Sequence, residues 1–187
     1  MHVLAAAALA SGLGLAAAGA EAQSRPTYEQ TVGYVKERTE GMHADGFDRY
    51  RQTVDFPQRC KMRITVEHGR SGAVISTIVA DVDLGKLDLA RMATRAGGNY
   101  SLIPAQSGAI TRELSYPPEN RRAMDRARGE PQRFACDATG CRSRQPTVVT
   151  DYHTLRTHGM GSAAENEVTA RGLRHLFELC GSSKPLF

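Results

Sequence analysis

Several groups of side chains in this sequence have the types and spacing for chemistry: a serine among glycines, a pair of aspartates, scattered histidines and a run of arginines. Gly69-Arg70-Ser71-Gly72-Ala73, preceded by His68, comes close to the pattern G-x-S-x-G. That motif exposes a nucleophilic serine only on a strand-to-helix turn. Strand-forming residues follow here and Ala73 replaces the last glycine, so the segment reads as a hairpin turn. Asp81-Val82-Asp83-Leu84-Gly85 has acids spaced as at the start of a calcium loop. Calcium takes roughly six to eight oxygen ligands. This loop has apolar residues between its acids, Lys86 after the glycine and no closing Glu. Asp83 is expected instead to cap a short helical segment. His43, His68, His153, His158 and His175 never pair at metal-binding spacing on one face. Each is expected to be solvated or hydrogen-bonded, with His175 at the rim of an apolar helix stripe. No catalytic residue, metal site or cofactor is read from these patterns.

Residues 121–144 contain Arg121, Arg122, Arg126, Arg128, Arg133, Arg142 and Arg144 against Asp125, Glu130 and Asp137. Guanidinium forks suit phosphate and carboxylate groups. Arg121, Arg122, Arg126 and Arg128 are therefore the candidate anion-binding residues. The competing reading is a solvated loop with internal ion pairs worth little each. Trp is absent and aromatics are 6% of the chain, which disfavours a sugar-stacking cleft.

The compartment limits the partner. Val3 to Ala18 carries no charge and is mostly Ala and Leu, and Ala20-Glu21-Ala22 fits the small-x-small pattern of a signal peptidase site. Residues 1–22 therefore read as a cleaved signal peptide and residues 23–187 as a single domain. The n-region, Met1-His2, has no Lys or Arg and is off-pattern. The run falls short of the ~20 apolar residues of a transmembrane helix, and no later stretch approaches that length. The mature chain is expected in the periplasm or, failing that, outside the cell. Anionic lipid, an envelope glycolipid or an acidic protein are the candidate partners, and nucleic acid is not.

Export also sets the meaning of Cys60, Cys136, Cys141 and Cys180. An even number of cysteines in an exported chain reads as two disulfides, and their spacing lacks the close pairs of structural zinc. Asp137-Ala138-Thr139-Gly140 has turn composition, so a hairpin there sets Cys136 opposite Cys141. Cys60 shares a strand face with Met62 and Ile64, and Cys180 lies on a helix stripe. The expected bonds are thus Cys136–Cys141 and Cys60–Cys180.

The elements follow from periodicity. Pro26 to Gly41 reads as a helix with a Thr27/Gln30 capping box, and Met42 to Asp48 reads as loose. Tyr50 to Phe56 is strand-like and ends at Pro57. Cys60 to Glu67 alternates apolar with polar, and Val74 to Val82 is rich in β-branched residues. With Gly69 to Gly72 between them, these two form an antiparallel hairpin. Asp83 to Ala96 changes period, and Leu84, Leu87 and Met92 suggest a helical turn or short helix there. Asn99 to Ile103, Ala109 to Tyr116, Arg133 to Cys141 and Thr147 to Leu155 are further strands, and 119–133 is a charged loop of helical character. Ala163 to Cys180 closes the chain as a helix with a Ser162/Glu165 capping box and Gly181 as its stop. Helix, about seven strands and helix make an α+β fold: a bent antiparallel sheet or partial barrel with both helices packed on it.

Three stretches together resemble exported bacterial proteins of unknown function with a pleckstrin-homology-like sheet. These are the opening helix from Thr27 to Lys36, the strand Cys60-Lys61-Met62-Arg63-Ile64 with the turn Asp83-Leu84-Gly85-Lys86-Leu87-Asp88, and the closing helix Leu173 to Gly181. The resemblance implies a bent sheet closed at one end by the last helix. It implies a binding or scaffold role and no activity. The expected function is thus non-enzymatic binding or scaffolding in the bacterial envelope, with an anionic ligand. A small periplasmic hydrolase is the alternative, and a structural subunit of an envelope complex is a third reading.

Overall fold

The computed structural model describes residues 25–94, 98–122, 134–146, 153–157 and 162–182. The expected signal segment, Arg126 and Arg128 lie outside these residues. The chain opens with helix α1 (Tyr28–Thr39) and closes with helix α2 (Ala163–Leu179). Both helices start with the expected capping boxes, Thr27 with Gln30 and Ser162 with Glu165. Each box satisfies two N–H groups that a helix start leaves without partners. At the far end of α2, Gly181 (φ +76°) donates its N–H to the Glu178 carbonyl and Ser182 to that of Phe177. This is the Schellman pattern.

Between the helices run β1 (Gly41–Asp45), β2 (Asp48–Gln58), β3 (Lys61–Arg70), β4 (Ala73–Asp83), β5 (Ala93–Thr94), β6 (Tyr100–Leu102), β7 (Ile110–Tyr116), β8 (Ala135–Asp137), β9 (Gly140–Pro146) and β10 (His153–Leu155). Seven of them form one antiparallel sheet in the order β1-β2-β3-β4-β7-β9-β8. The α+β class is as expected. The other three strands make a small sheet, β10-β6-β5.

Some elements differ from the sequence reading. Met42 to Asp48, expected to be loose, supplies β1 and its turn into β2. Its polar composition suits an edge strand, which meets water on one side. β2 continues through Pro57 to Gln58, with a register shift between Asp55 and Gln58. A bulge tolerates proline because the ladder makes no hydrogen bond there that the missing N–H would have to donate. Asp83 precedes a 3-10 turn (Leu84–Lys86) but makes no side-chain cap. Its carboxylate is taken by lysines instead.

Alternation puts Val54, Met62, Ile64, Val66 and Val82 on the face toward the helices, where they pack with Val35, Leu173 and Phe177 in one core. Each such fully buried side chain contributes roughly 1.5–3 kcal/mol. The two helices approach closely at Gly172, where a Cβ would come within 2.8 Å of the Tyr34 ring. Among the described residues, no helix is long and apolar enough to cross a membrane.

Candidate functional site

The outer face of the main sheet carries polar residues in rows set by register. Lys61 stands opposite Asp83 on β3 and β4, and in the next row Arg63 stands opposite Asp81 and Asp81 opposite Thr111 of β7. These two rows border an open groove of about 440 Å³, with Pro57, Gln58 and Gly108 among its other linings.

Each carboxylate in the groove is shared by two cations. Asp83 takes Lys61 Nζ at 2.6 Å and Lys86 Nζ at 3.3 Å, and Asp81 takes Arg63 Nε at 2.7 Å and an Arg144 nitrogen at 3.7 Å. Partial burial pushes the Asp83 carboxyl up, but its two lysines outweigh that and hold it below the usual range. The hydrogen bond to Asp81 raises the Arg63 guanidinium above its ordinary value. Two further carboxylates flank the arginines on this face: Asp55 stands opposite Arg63 on β2, and Glu113 opposite Arg144 on β7.

One end of the groove is fixed by the first disulfide. Cys60 is bonded to Cys180 across 120 residues, with Cα atoms 5.4 Å apart. The Cys60 carbonyl accepts the Leu84 N–H at 3.0 Å. Ser182 Oγ donates to the Leu84 carbonyl. At Gly85 a Cβ would come within 2.7 Å of the Cys180 carbonyl oxygen, so only glycine allows the 3-10 turn to lie this close to the end of α2. The groove residues Lys61, Asp83 and Lys86 all stand within three residues of this junction. The second disulfide joins Cys136 to Cys141, directly opposed in the β8–β9 hairpin.

Arg121 and Arg122 do not belong to this groove. They are exposed and follow the turn Pro118–Asn120, whose Asn120 amide donates to the Ile75 carbonyl at 3.1 Å. Ile75 lies near the start of β4, at the opposite end from Asp81 and Asp83. Arg142 and Arg144, the described end of the arginine-rich segment, stand on β9, and Arg144 approaches Asp81 to 3.7 Å. The sequence shows Lys61 and Arg63 only as outward positions of a strand, and Asp81, Asp83 and Lys86 only as a segment that fails as a calcium loop. The available signal was the match of Lys and Arg on one strand to Asp on the next.

The histidines and the serine find other settings. Ser71 sits with Gly72 at the tip of the β3–β4 hairpin, both at positive φ, the turn expected of that segment. His68 lies on the helix side of β3, 3.4 Å from Asp48, and stacks on Tyr50 at 4.9 Å between ring centres. Ser76, 4% exposed, is its cross-strand neighbour. His175 Nε2 donates to the Pro26 carbonyl at 2.9 Å. His153 departs from expectation. It is 6% exposed, its Nε2 has no partner among the described residues, and burial aided by Arg112 and Arg156 lowers its pKa to about 3. No group of His, Cys, Asp and Glu among the described residues is arranged to hold a metal ion.

No protein-family model matches this chain, and no curated protein or solved structure does.

Proposed function

We propose that this chain is an exported, non-enzymatic binding domain of the bacterial envelope that takes an anionic ligand. The observation that carries this reading is the groove, where the exposed Lys61, Arg63 and Lys86 stand around Asp81 and Asp83. Two disulfides agree with life in an oxidising compartment, and the periplasm is the proposed location. Anionic lipid, an envelope glycolipid or an acidic protein would each supply the ligand's charge. The likeness to exported proteins with a pleckstrin-homology-like sheet is part of this proposal. The antiparallel meander and the closing helix support it. The arginine segment, with Arg121 and Arg122 at the opposite end of the sheet, becomes a secondary attractor of anions.

The hydrolase alternative draws on one place, where Asp48, His68 and Ser76 meet on the helix side of β2, β3 and β4. Ser76 is buried there, and Asp48 is chiefly engaged by Arg70 at 2.7 Å, which holds its carboxyl low. An open charged groove fits binding better than a covered hydroxyl fits attack.

The test has two parts. Protein recovered from the cell envelope should have the intact mass of a chain starting at Gln23. It should also bind vesicles containing anionic lipid more tightly than zwitterionic ones, with the difference fading as salt rises. A full-length chain confined to the cytoplasm, or equal retention on both vesicles, removes the reading.

A further inference from the structure

We infer that the end of the sheet opposite the groove is a tip that seats on a phospholipid bilayer, with Phe47 inserted among the lipids and Arg49 on a headgroup phosphate. This adds a second surface to the binding role proposed above and does not depend on the groove. Two tight turns lie side by side at that end, Gly46–Phe47 between β1 and β2 and Ser71–Gly72 between β3 and β4. They are neighbours because Asp48, Arg70 and Ala73 share one row of the register. Of the five large apolar side chains exposed among the described residues, three are here: Phe47 at 90%, Met42 at 55% and Val74 at 49%. The other two, Val168 and Leu179, lie on α2. Arg49 stands between Ala44 and Gly69, with Val74 beyond Gly69, so its row contains no acid. It is exposed and has no ion pair among the described residues.

The chemistry of this corner fits a lipid surface. A solvated aromatic ring gains by entering the apolar edge of a bilayer, and interfacial binding scales with the apolar area buried. A guanidinium two residues away stays at headgroup level, where a phosphate accepts its paired N–H groups. The acids of this end are Asp45, Asp48, Glu67 and Glu119, against Arg49, Arg51, Arg70, Arg121 and Arg122. Asp48 is on the helix side and held by Arg70 at 2.7 Å, and Glu67 stands opposite Arg51. Five bases against four acids leave almost no net charge. Insertion of Phe47 therefore carries the contact, not long-range attraction, and the contact should resist salt. A protein partner fits less well: a stable interface covers about 800 Å² per side, and the apolar part of this corner is three side chains around two turns.

The chain contains no Trp, so Phe47→Trp places a single fluorescent reporter on the tip. Phosphatidylcholine vesicles at high salt should shift its emission to the blue, and brominated acyl chains should quench it. Val168→Trp on α2 should show neither effect. Phe47→Ser should lower retention on the same vesicles about tenfold. Arg49→Ser should lower retention on phosphatidylglycerol vesicles at low salt about fivefold. Both positions are exposed, and circular dichroism checks that each variant folds. Lys61→Ser with Lys86→Ser, in the groove, should leave the blue shift of the Phe47→Trp protein unchanged. Emission that moves on no vesicle overturns the tip, and a shift caused by delipidated envelope proteins but not by vesicles overturns it in favour of a protein partner. Unchanged retention of the Arg49→Ser protein overturns the phosphate contact. The two surfaces fail separately: a blue shift with no preference for anionic lipid leaves the tip and removes the anionic groove, and an anionic preference with no blue shift does the reverse.

Discussion

Gln52 is fully buried, and all its polar capacity is used in one bracket. Its amide donates to the Thr39 carbonyl at 2.7 Å and the Arg156 carbonyl at 2.9 Å, and its oxygen accepts the Arg156 N–H at 3.1 Å. The end of α1, the sheet and the strand after residue 152 are joined through one side chain. Gln52→Ala should cost about 3 kcal/mol, because it leaves buried backbone groups without partners. A urea melt with unchanged slope and a lower midpoint would register it, and a loss under 1 kcal/mol would contradict the bracket. His153 makes the opposite case. Its folded pKa of about 3 lies below the ordinary 6.5, so the unfolded chain binds the proton more readily. Stability is complete above pH 6.5 and declines as pH falls from there toward 3, by up to ~1.4 kcal/mol per pH unit. His153→Leu should flatten that acid slope in melts taken at several pH values. Parallel slopes for both proteins would place the acid sensitivity elsewhere.

Among the elements, the β3–β4 hairpin shows what the sequence could reveal about the site and where it stopped. The strands were legible from alternation and the turn from its glycines. The pairing across the groove was not. The turn pairs Arg70 with Ala73 and Gly69 with Val74, and continued evenly this register would set Arg63 opposite Ala80. A bulge at Ile75 shifts the ladder by one, so that His68 meets Ser76 and Arg63 meets Asp81. A one-residue slip exchanges the faces of a strand, and the bulge thus brings Lys61 and Arg63 onto the face of Asp81 and Asp83. Asn120 holds the bulge by donating to the Ile75 carbonyl. This contact comes from 45 residues away in the chain, which local pattern cannot show. Asn120→Ala should destabilise the protein by about 1 kcal/mol and raise amide exchange near Ile75. Unchanged exchange there would show that the bulge holds itself.

For the whole molecule, the class and the closing helix were readable because capping boxes and apolar stripes are local. Edge strand β1 and strand β5 were not, because β1 is polar and β5 is two residues long; β6 and β10 fall within the expected strands 99–103 and 147–155, but their pairing in a separate small sheet was not legible. Such segments become strands only by pairing with residues far away. The cysteine bridges show a similar split. Cys136–Cys141 is a matter of turn chemistry, whereas Cys60–Cys180 depended on judging two buried faces compatible. In the chain-entropy account the long bridge stabilises by roughly 5 kcal/mol and the short one by roughly 2. Replacing Cys60 and Cys180 by Ser should therefore loosen α2 and weaken retention on anionic vesicles, since Lys61 and Lys86 flank that junction. Replacing Cys136 and Cys141 should leave both nearly unchanged. Equal effects of the two replacements would refute the assignment of the groove to the long bridge.

The nesting of one bridge inside the other bears on how the protein is made. A chain threaded N-terminus first into an oxidising space delivers Cys60, then Cys136 and Cys141, and only then Cys180. An oxidant joining thiols in order of arrival would couple Cys60 to Cys136, a pairing that the finished sheet does not contain. The hairpin resolves this conflict if it closes first, because Cys136 and Cys141 lie five residues apart and meet on the microsecond timescale of hairpin formation. Cys60 then waits unpaired until the last helix arrives. Disrupting the turn with Gly140→Val should strand nascent chains in the mispaired form and make their maturation depend on a disulfide isomerase. Pulse-labelled chains trapped by alkylation and run without reductant would display that intermediate. Its absence in cells lacking the isomerase would mean that the hairpin is not the gatekeeper of pairing order.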